Sequence, residues 1–279
     1  MSRATRRRVG RGVQIALLVL FVVWTLAPIA WAVLSSLLPQ SSLTSTPPDI
    51  ALDKFTLDNY AGALGGDSEL ITGLKNSAIV ATLTAVIALM LGSAAAYALA
   101  RLSVPGGNRI LLMILATQMF PGIVVIIPLF IALSRVHLTD THTGLVIVYL
   151  SFVLPIVIWV MKGFFESVPV ALERAAAVDG ASTLQTFRLV VLPIALPPLF
   201  ATGVFAFIES WNEFFFAVII AQTNSKTAPV VVAEFSGQYV SLFGQMVAAA
   251  IIASVPVVVL AIIFRRFILR GFAEGAVKG

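Results

Sequence analysis

The sequence predicts an all-α protein that crosses a membrane about six times, and three observations predict it. Of its 279 residues, 59% are hydrophobic and only 11% are charged, where a soluble domain carries about 25% charge. The apolar residues come in long blocks, and a helix needs about 20 such residues to cross a hydrocarbon core of about 30 Å. The basic residues gather at the ends of those blocks, mostly on alternate ends.

In chain order the blocks lie at roughly 13–38, 73–100, 110–133, 144–165, 191–221 and 245–268. The first follows Arg3, Arg6, Arg7, Arg8 and Arg11, and Ala30-Trp31-Ala32 looks like a small-residue cleavage site. The run from Val13 to Leu38 is too long for the apolar region of a signal peptide, so it reads as an uncleaved first helix. A polar stretch, 39–72, precedes the second block and holds Pro47-Pro48, Gly65-Gly66 and the acids Asp49, Asp53, Asp58, Asp67 and Glu69. It is too short for a catalytic domain. In the second block Ala88, Gly92, Ala96 and Ala100 recur every four residues, a small-residue stripe that lets helices approach closely. Pro28, Pro121, Pro128, Pro155, Pro197, Pro198 and Pro256 fall inside blocks. Such breaks are tolerated where neighbouring groups satisfy the freed carbonyls.

Orientation follows from Lys and Arg. Fourteen fall with the N-terminus, the 101–109 loop, the 162–190 loop and the C-terminus, against three (Lys54, Arg135 and Lys226) on the other side, with Lys75 at a boundary. Both termini are therefore expected in the cytoplasm. The net charge of +5 is explained by this bias without a nucleic-acid partner.

Several chemistries are excluded or disfavoured. With no cysteine, disulfides, thiolate metal sites and cysteine nucleophiles are ruled out. Gly-Lys never occurs, so there is no phosphate loop, and neither H-E-x-x-H nor G-x-S-x-G is present. His137 and His142 read as solvated loop residues. No metal and no bound cofactor is expected.

Glu166–Pro193, ESVPVALERAAAVDGASTLQTFRLVVLP, is the longest inner loop and the least loop-like. Ser167 is placed to cap a helix with Pro169 in its first turn. Alanines at 171, 175, 176 and 177 favour helix. Gly180 suits a left-handed cap, and Ser182 with Gln185 fits a capping box that opens a second helix leading into the fifth block. The first helix lies outside the membrane, and its small side chains suit a partner's groove.

Glu173-Arg174-Ala175-Ala176-Ala177-Val178-Asp179-Gly180-Ala181, followed by Leu192-Pro193, resembles the EAA loop of bacterial ABC importer permeases. The motif acid stands one residue early, at Glu173, and Arg174 occupies its usual place. Trp211-Asn212-Glu213-Phe214, Lys75-Asn76-Ser77 and the tail Gly275–Gly279 resemble the carbohydrate branch, in particular the smaller maltose-type permease of a heterodimeric pair. The resemblance implies a type I ABC importer permease fold, with a first helix at 13–38, a core bundle over about 73–268 and a coupling loop at 166–190. It also implies ATPase coupling through Glu173, Arg174, Ala175, Ala176, Asp179 and Gly180. ATP and Mg²⁺ would be bound by a separate ATPase dimer. A second permease and an extracytoplasmic sugar-binding protein would complete a transporter in the plasma membrane of a bacterium or archaeon. In Gln222–Phe243 it implies a loop that enters the binding protein's cleft, with Ser236, Gly237, Gln238 and Tyr239 at its tip.

Glu209, Asn212 and Glu213 lie inside the fifth block, where an ionisable group costs at least ~2.5 kcal/mol. On a continuous helix they share one arc. That face reads either as a sugar path or as polar glue between subunits, and Gln118 and Tyr97 are weaker candidates of the same kind. Two other functions were weighed. An intramembrane lipid-linked glycosyltransferase would use Glu209 or Glu213 and needs a donor-binding loop, which is not evident. A secondary transporter should show inverted repeats, which are also not evident.

Overall fold

The computed structural model describes residues 3–65, 68–237 and 242–276, with side chains over 11–65, 68–237 and 242–266. Helix α1 (Arg3–Ser36) is followed by α2 (Gln40–Thr44) and α3 (Asp58–Leu64), with a 3-10 turn at Leu52–Lys54 between them. Then come α4 (Leu70–Arg101), α5 (Gly107–Ala116), α6 (Gly122–Arg135), α7 (His142–Ser167), α8 (Val170–Val178), α9 (Thr183–Thr186), α10 (Leu192–Ile194), α11 (Leu196–Asn212), α12 (Ala217–Ile220), α13 (Ala228–Glu234) and α14 (Phe243–Ala276). No strand occurs among the described residues.

Four helices are long and apolar enough to cross a membrane unbroken: Arg11–Ser36, Leu70–Arg101, His142–Ser167 and Phe243–Arg266. Two further apolar segments are bent pairs. Gly107–Met119 meets Gly122–Arg135 at 95°, and Thr183–Ile194 meets Leu196–Asn212 at 78°. The six apolar blocks thus give four to six spans, and the third and fifth are not the straight helices expected. In the third, the helix tightens to a 3-10 turn at Thr117–Met119, and Pro121, which has no N–H, caps α6. In the fifth, a π-helical turn over Phe187–Val191 precedes Pro193, and the chain turns at Ala195 before Pro197 and Pro198 open α11.

The chain divides into two compact units, Met1–Leu70 with Val232–Ala253, and Ile71–Val231 with Ser254–Gly279. In the first, the polar stretch after α1 is ordered and not a loose connector. Asn59 donates to the Ser36 and Leu38 carbonyls at 3.0 and 2.8 Å, serving the carbonyls that the end of α1 leaves open. Ser36 and Tyr60 share a 2.8 Å hydroxyl contact. The start of α14 presses on α3 where side chains are smallest: a Cβ on Gly244 would lie 2.6 Å from the Asn59 amide oxygen. Along α1 the side chains from Gly12 to Trp31 are exposed, as they are on a span that faces lipid.

In the second unit α4 packs against both α7 and α11. The small-residue stripe does what its spacing predicts: Ala88 and Ala96 are fully buried, and a Cβ on Gly92 would stand 2.6 Å from Val157 Cγ1. A Cβ on Gly203 of α11 would likewise lie 2.8 Å from Leu89 Cδ1 of α4. Gly92→Leu is expected to force α4 off α7 and to destabilise the fold by about 1–3 kcal/mol. That should appear as a lower thermal midpoint in detergent, whereas Ala94→Leu, on the exposed face of the same turn, should leave it unchanged.

Candidate coupling loop and membrane path

The loop after α7 departs from expectation at its first residue. The helical run continues through the i,i+4 pair Lys162–Glu166, at 2.5 Å, so Ser167 is the last residue of α7 and not a cap. Its hydroxyl donates to the Phe164 carbonyl at 2.7 Å. Pro169 takes the N-cap position of α8. The rest follows the sequence. Gly180 has φ +83°, and Ser182 and Gln185 form the reciprocal capping box.

Helix α8 turns two neighbours in opposite directions. Glu173 faces inward: its carboxylate pairs with Arg101 Nε at 2.7 Å and accepts from the Tyr97 hydroxyl at 3.0 Å. Both ion-pair side chains are largely buried, at 12% and 14% exposure. The Arg101 guanidinium also donates to the Val168 carbonyl. Tyr97 packs against Phe165 and Phe187. Arg174, Ala175, Asp179 and Gly180 are exposed, and Ala176 is half-buried. Tyr97 therefore stands with α8 and not with Glu213. Arg101, which sequence reading counted only for its charge, is the main anchor of α8. Its place one helical turn after Tyr97 was the available signal.

The expected arc of three polar residues does not form. Helix α11 ends at Asn212, and Glu213 has extended backbone, φ −67° and ψ 125°. Glu209 and Asn212 are exposed. The Glu213 carboxylate accepts from the amides of Phe216 and Ala217, at 2.8 and 3.1 Å, and so caps the short α12. Buried Tyr149 is its neighbour, with buried Thr227 on the other side of that hydroxyl. Non-helical backbone at membrane depth is tolerated only where protein or a wet cavity receives it. Here the break of the third span meets the turn after α11: a Cβ on Gly122, at the start of α6, would lie 3.2 Å from Phe216 and 3.4 Å from Phe215. Phe216 in turn stacks on Phe152 of α7. Gln118 lies in the first break, exposed and 3.4 Å from the Ser151 carbonyl. Nothing in the sequence around Glu213 announced the end of α11, because no proline stands there.

The opposite end of α4 is fastened as well. Asn76 donates to the carbonyls of Asn224 and Lys226 at 3.1 and 2.9 Å. The Ser77 hydroxyl accepts from Ala228 N at 2.8 Å. His142 is not the solvated residue expected, since its Nε2 lies 2.8 Å from Asn76 Oδ1. Asp140, with φ +54°, accepts from the backbone amides of Gln222, Thr223, Asn224 and Ser225 and from the Asn224 and Ser225 side chains. Burial pushes its carboxyl up, but the Asn224, Thr223 and Ser225 amides outweigh that and hold it well below the usual carboxylate range. A depressed folded pKa contributes stability that is present above the unfolded value of about 3.9 and lost only as pH falls through the folded one. Exchange protection of amides 222–225, corrected for intrinsic rate, is therefore expected to stay constant from pH 7 to pH 5. Asp140→Asn should remove about 2–3 kcal/mol of that protection at any pH in the range.

Beyond this turn Ser236 and Gly237 are exposed, and Leu242 N donates to the Phe235 carbonyl at 3.1 Å. Gln238 and Tyr239 lie outside the described residues, as does the tail after Ala276.

Comparison with known proteins agrees with this geometry. The pattern of the family described as binding-protein-dependent transport system inner membrane component matches residues 88–273. The trehalose transport system permease protein SugB of Mycobacterium tuberculosis is 39% identical over 93% of this chain and 95% of its own. The trehalose/maltose transport system permease protein MalG of Thermococcus litoralis is 31% identical over 94% of each. The sulfoquinovosyl glycerol transport system permease protein SmoH of Agrobacterium fabrum is 32% identical over 91% of this chain and 89% of its own. In fold, the chain is similar to a subunit of a bacterial ABC transporter involved in import of the acidic polysaccharide alginate, with a TM-score of 0.77 and 24% identity, over 95% of this chain and 98% of that one. The chain belongs to the family of binding-protein-dependent transport system inner membrane components, the permeases of ABC importers.

Proposed function

We propose that this permease imports a di- or oligosaccharide of the trehalose or maltose kind. It works in the plasma membrane with a second permease, a cytoplasmic ATPase dimer and an extracytoplasmic binding protein. Both termini and the loop 166–190 lie in the cytoplasm. ATP and Mg²⁺ are held by the ATPase subunits, and this chain transmits force without a catalytic group of its own.

One observation carries the coupling role. Ala171, Arg174, Ala175 and Val178 fall at i, i+3, i+4 and i+7, on one exposed face of α8. Val178 is 87% exposed in a loop outside every apolar block. A narrow face of small side chains around one exposed valine suits insertion into a groove on a partner. Glu173 holds that face outward by binding inward, so Arg174 is the charge offered to the ATPase subunit. The sugar class is supported by the relatives' substrates. It is supported too by the meeting of the third span's break with the turn after α11, where Gln118, Asn212 and Glu213 supply hydrogen-bonding groups and Glu209 stands one turn earlier. Ser236, Gly237, Gln238 and Tyr239 are the residues offered to the binding protein.

The test is to purify the full chain with its native partners and to measure ATPase stimulation by binding protein loaded with trehalose, maltose, an amino acid or a peptide. Co-purification of an ATPase subunit and stimulation by a disaccharide are expected. Absence of the ATPase subunit rejects the coupling role, and stimulation by a non-sugar rejects the substrate class.

A further inference from the structure

Helix α4 is fastened at both ends to segments that must move during transport, and it has no proline between them. Near its C-terminal end, Tyr97 and Arg101 grip Glu173 of α8, and Arg101 also holds the carbonyl that closes α7. Near its N-terminal end, Asn76 and Ser77 grip the backbone at 224, 226 and 228. That same segment hangs from Asp140 through its amides. At 1.5 Å per residue the 32 residues of α4 span about 48 Å. The other spans are bent pairs or carry an internal proline: Pro28 in α1, Pro128 in α6, Pro155 in α7 and Pro256 in α14. Helix α4 has none. A proline removes a ladder hydrogen bond and admits a kink, so α4 is the element best able to carry a displacement without absorbing it.

We propose that α4 is a rigid strut between the ATPase-facing loop and the loop at 222–228, with Glu173 and Asn76 as its end fastenings. On this reading, which rests on the coupling role given above to 166–190, Glu173 is a positioning residue and not a contact to the ATPase subunit. A shift of α8 on ATP binding pulls on Arg101, moves α4 along its length and shifts the carbonyls of Asn224 and Lys226. The loop then changes its presentation to the binding protein, and the reverse path tells the ATPase subunits that loaded binding protein has docked. The buried ion pair suits this task, because removing one partner strands a charge in low dielectric, so the joint resists slipping.

The fastenings can be tested in the full complex of permease pair, ATPase dimer and binding protein. The chain has no native cysteine, so a nitroxide on Gln222→Cys reports on the far loop alone. ATP with vanadate, added on the ATPase side, should change its spectrum in the otherwise unaltered chain and leave it unchanged in Glu173→Gln. The ratio of ATPase rates with and without sugar-loaded binding protein should fall about fivefold or more in Glu173→Gln and in Asn76→Ala. The double variant should be no worse than the worse single one, because two ends of one strut fail as a unit. Multiplying defects in the double variant, or an unchanged nitroxide response in Glu173→Gln, would overturn the strut. Failure of either single variant to assemble would overturn it too, since the fastenings would then serve folding and not transmission. Failure of the unaltered chain to retain an ATPase subunit would instead count against the coupling role on which the strut rests.

Discussion

Gly180→Val is expected to abolish uptake while leaving the chain inserted in the membrane. Gly180 ends α8 in the left-handed region, at φ +83°, where a β-branched residue carries a penalty of about 1–2 kcal/mol or more. Space is not the obstacle, because a Cβ there meets nothing within 4 Å. The strain is purely conformational, and the substitutions should rank accordingly: Asn near normal, Ala intermediate, Val worst. The relief open to valine is to unwind the turn 178–181, which redirects Val178 and Arg174 and disconnects Ser182 from its capping-box position. Six apolar blocks hold the chain in the bilayer, so insertion is untouched. Transport assays beside co-purification of the ATPase subunit check the outcome. Equal uptake for all three variants would show that the turn's geometry does not matter.

Glu213→Leu is expected to reduce the yield of assembled transporter sharply and to end uptake. The carboxylate now accepts two backbone amides at the mouth of α12. Leucine leaves both donors unpaired in a low-dielectric setting, at about 1–3 kcal/mol each. Glu213→Gln keeps one acceptor oxygen and turns an N–H₂ toward the second amide, so it should assemble at reduced yield. Complex yield and uptake measured together separate the capping role from a direct part in the path. If Glu213→Gln assembles normally yet fails to transport, the charge itself serves the sugar path. Normal uptake in the leucine variant would show that the break at Glu213 is held by something other than this cap.

The sequence by itself determined much of this protein. Block length and charge placement settled the helical membrane class, because a bilayer allows so few ways to satisfy backbone polar groups. The loop 166–190 was legible almost residue by residue, since caps and left-handed turns are decided by local chemistry: Gly180, Ser182 and Gln185 behave as their neighbours in sequence require. The small-residue stripe of α4 was legible for the same reason, because helical spacing alone puts Ala88, Gly92 and Ala96 on one face. Tertiary structure decided what depends on partners distant in the chain. The end of α11 at Asn212 follows from Glu213 capping the next turn and from Phe216 stacking on Phe152, 64 residues earlier in the chain, and periodicity reports neither. The direction of Glu173 was set by Arg101 and Tyr97, more than 70 residues before it. Position 173 alone could equally have faced the ATPase subunit. His142 read as a loop residue until the amide of Asn76 was brought to it, and Asp140 drew no reading at all until the backbone at 222–225 met it. Local rules fix where a helix begins and ends, but the partner of a buried polar group is fixed by which segments the fold brings together, and that information is spread over the whole chain.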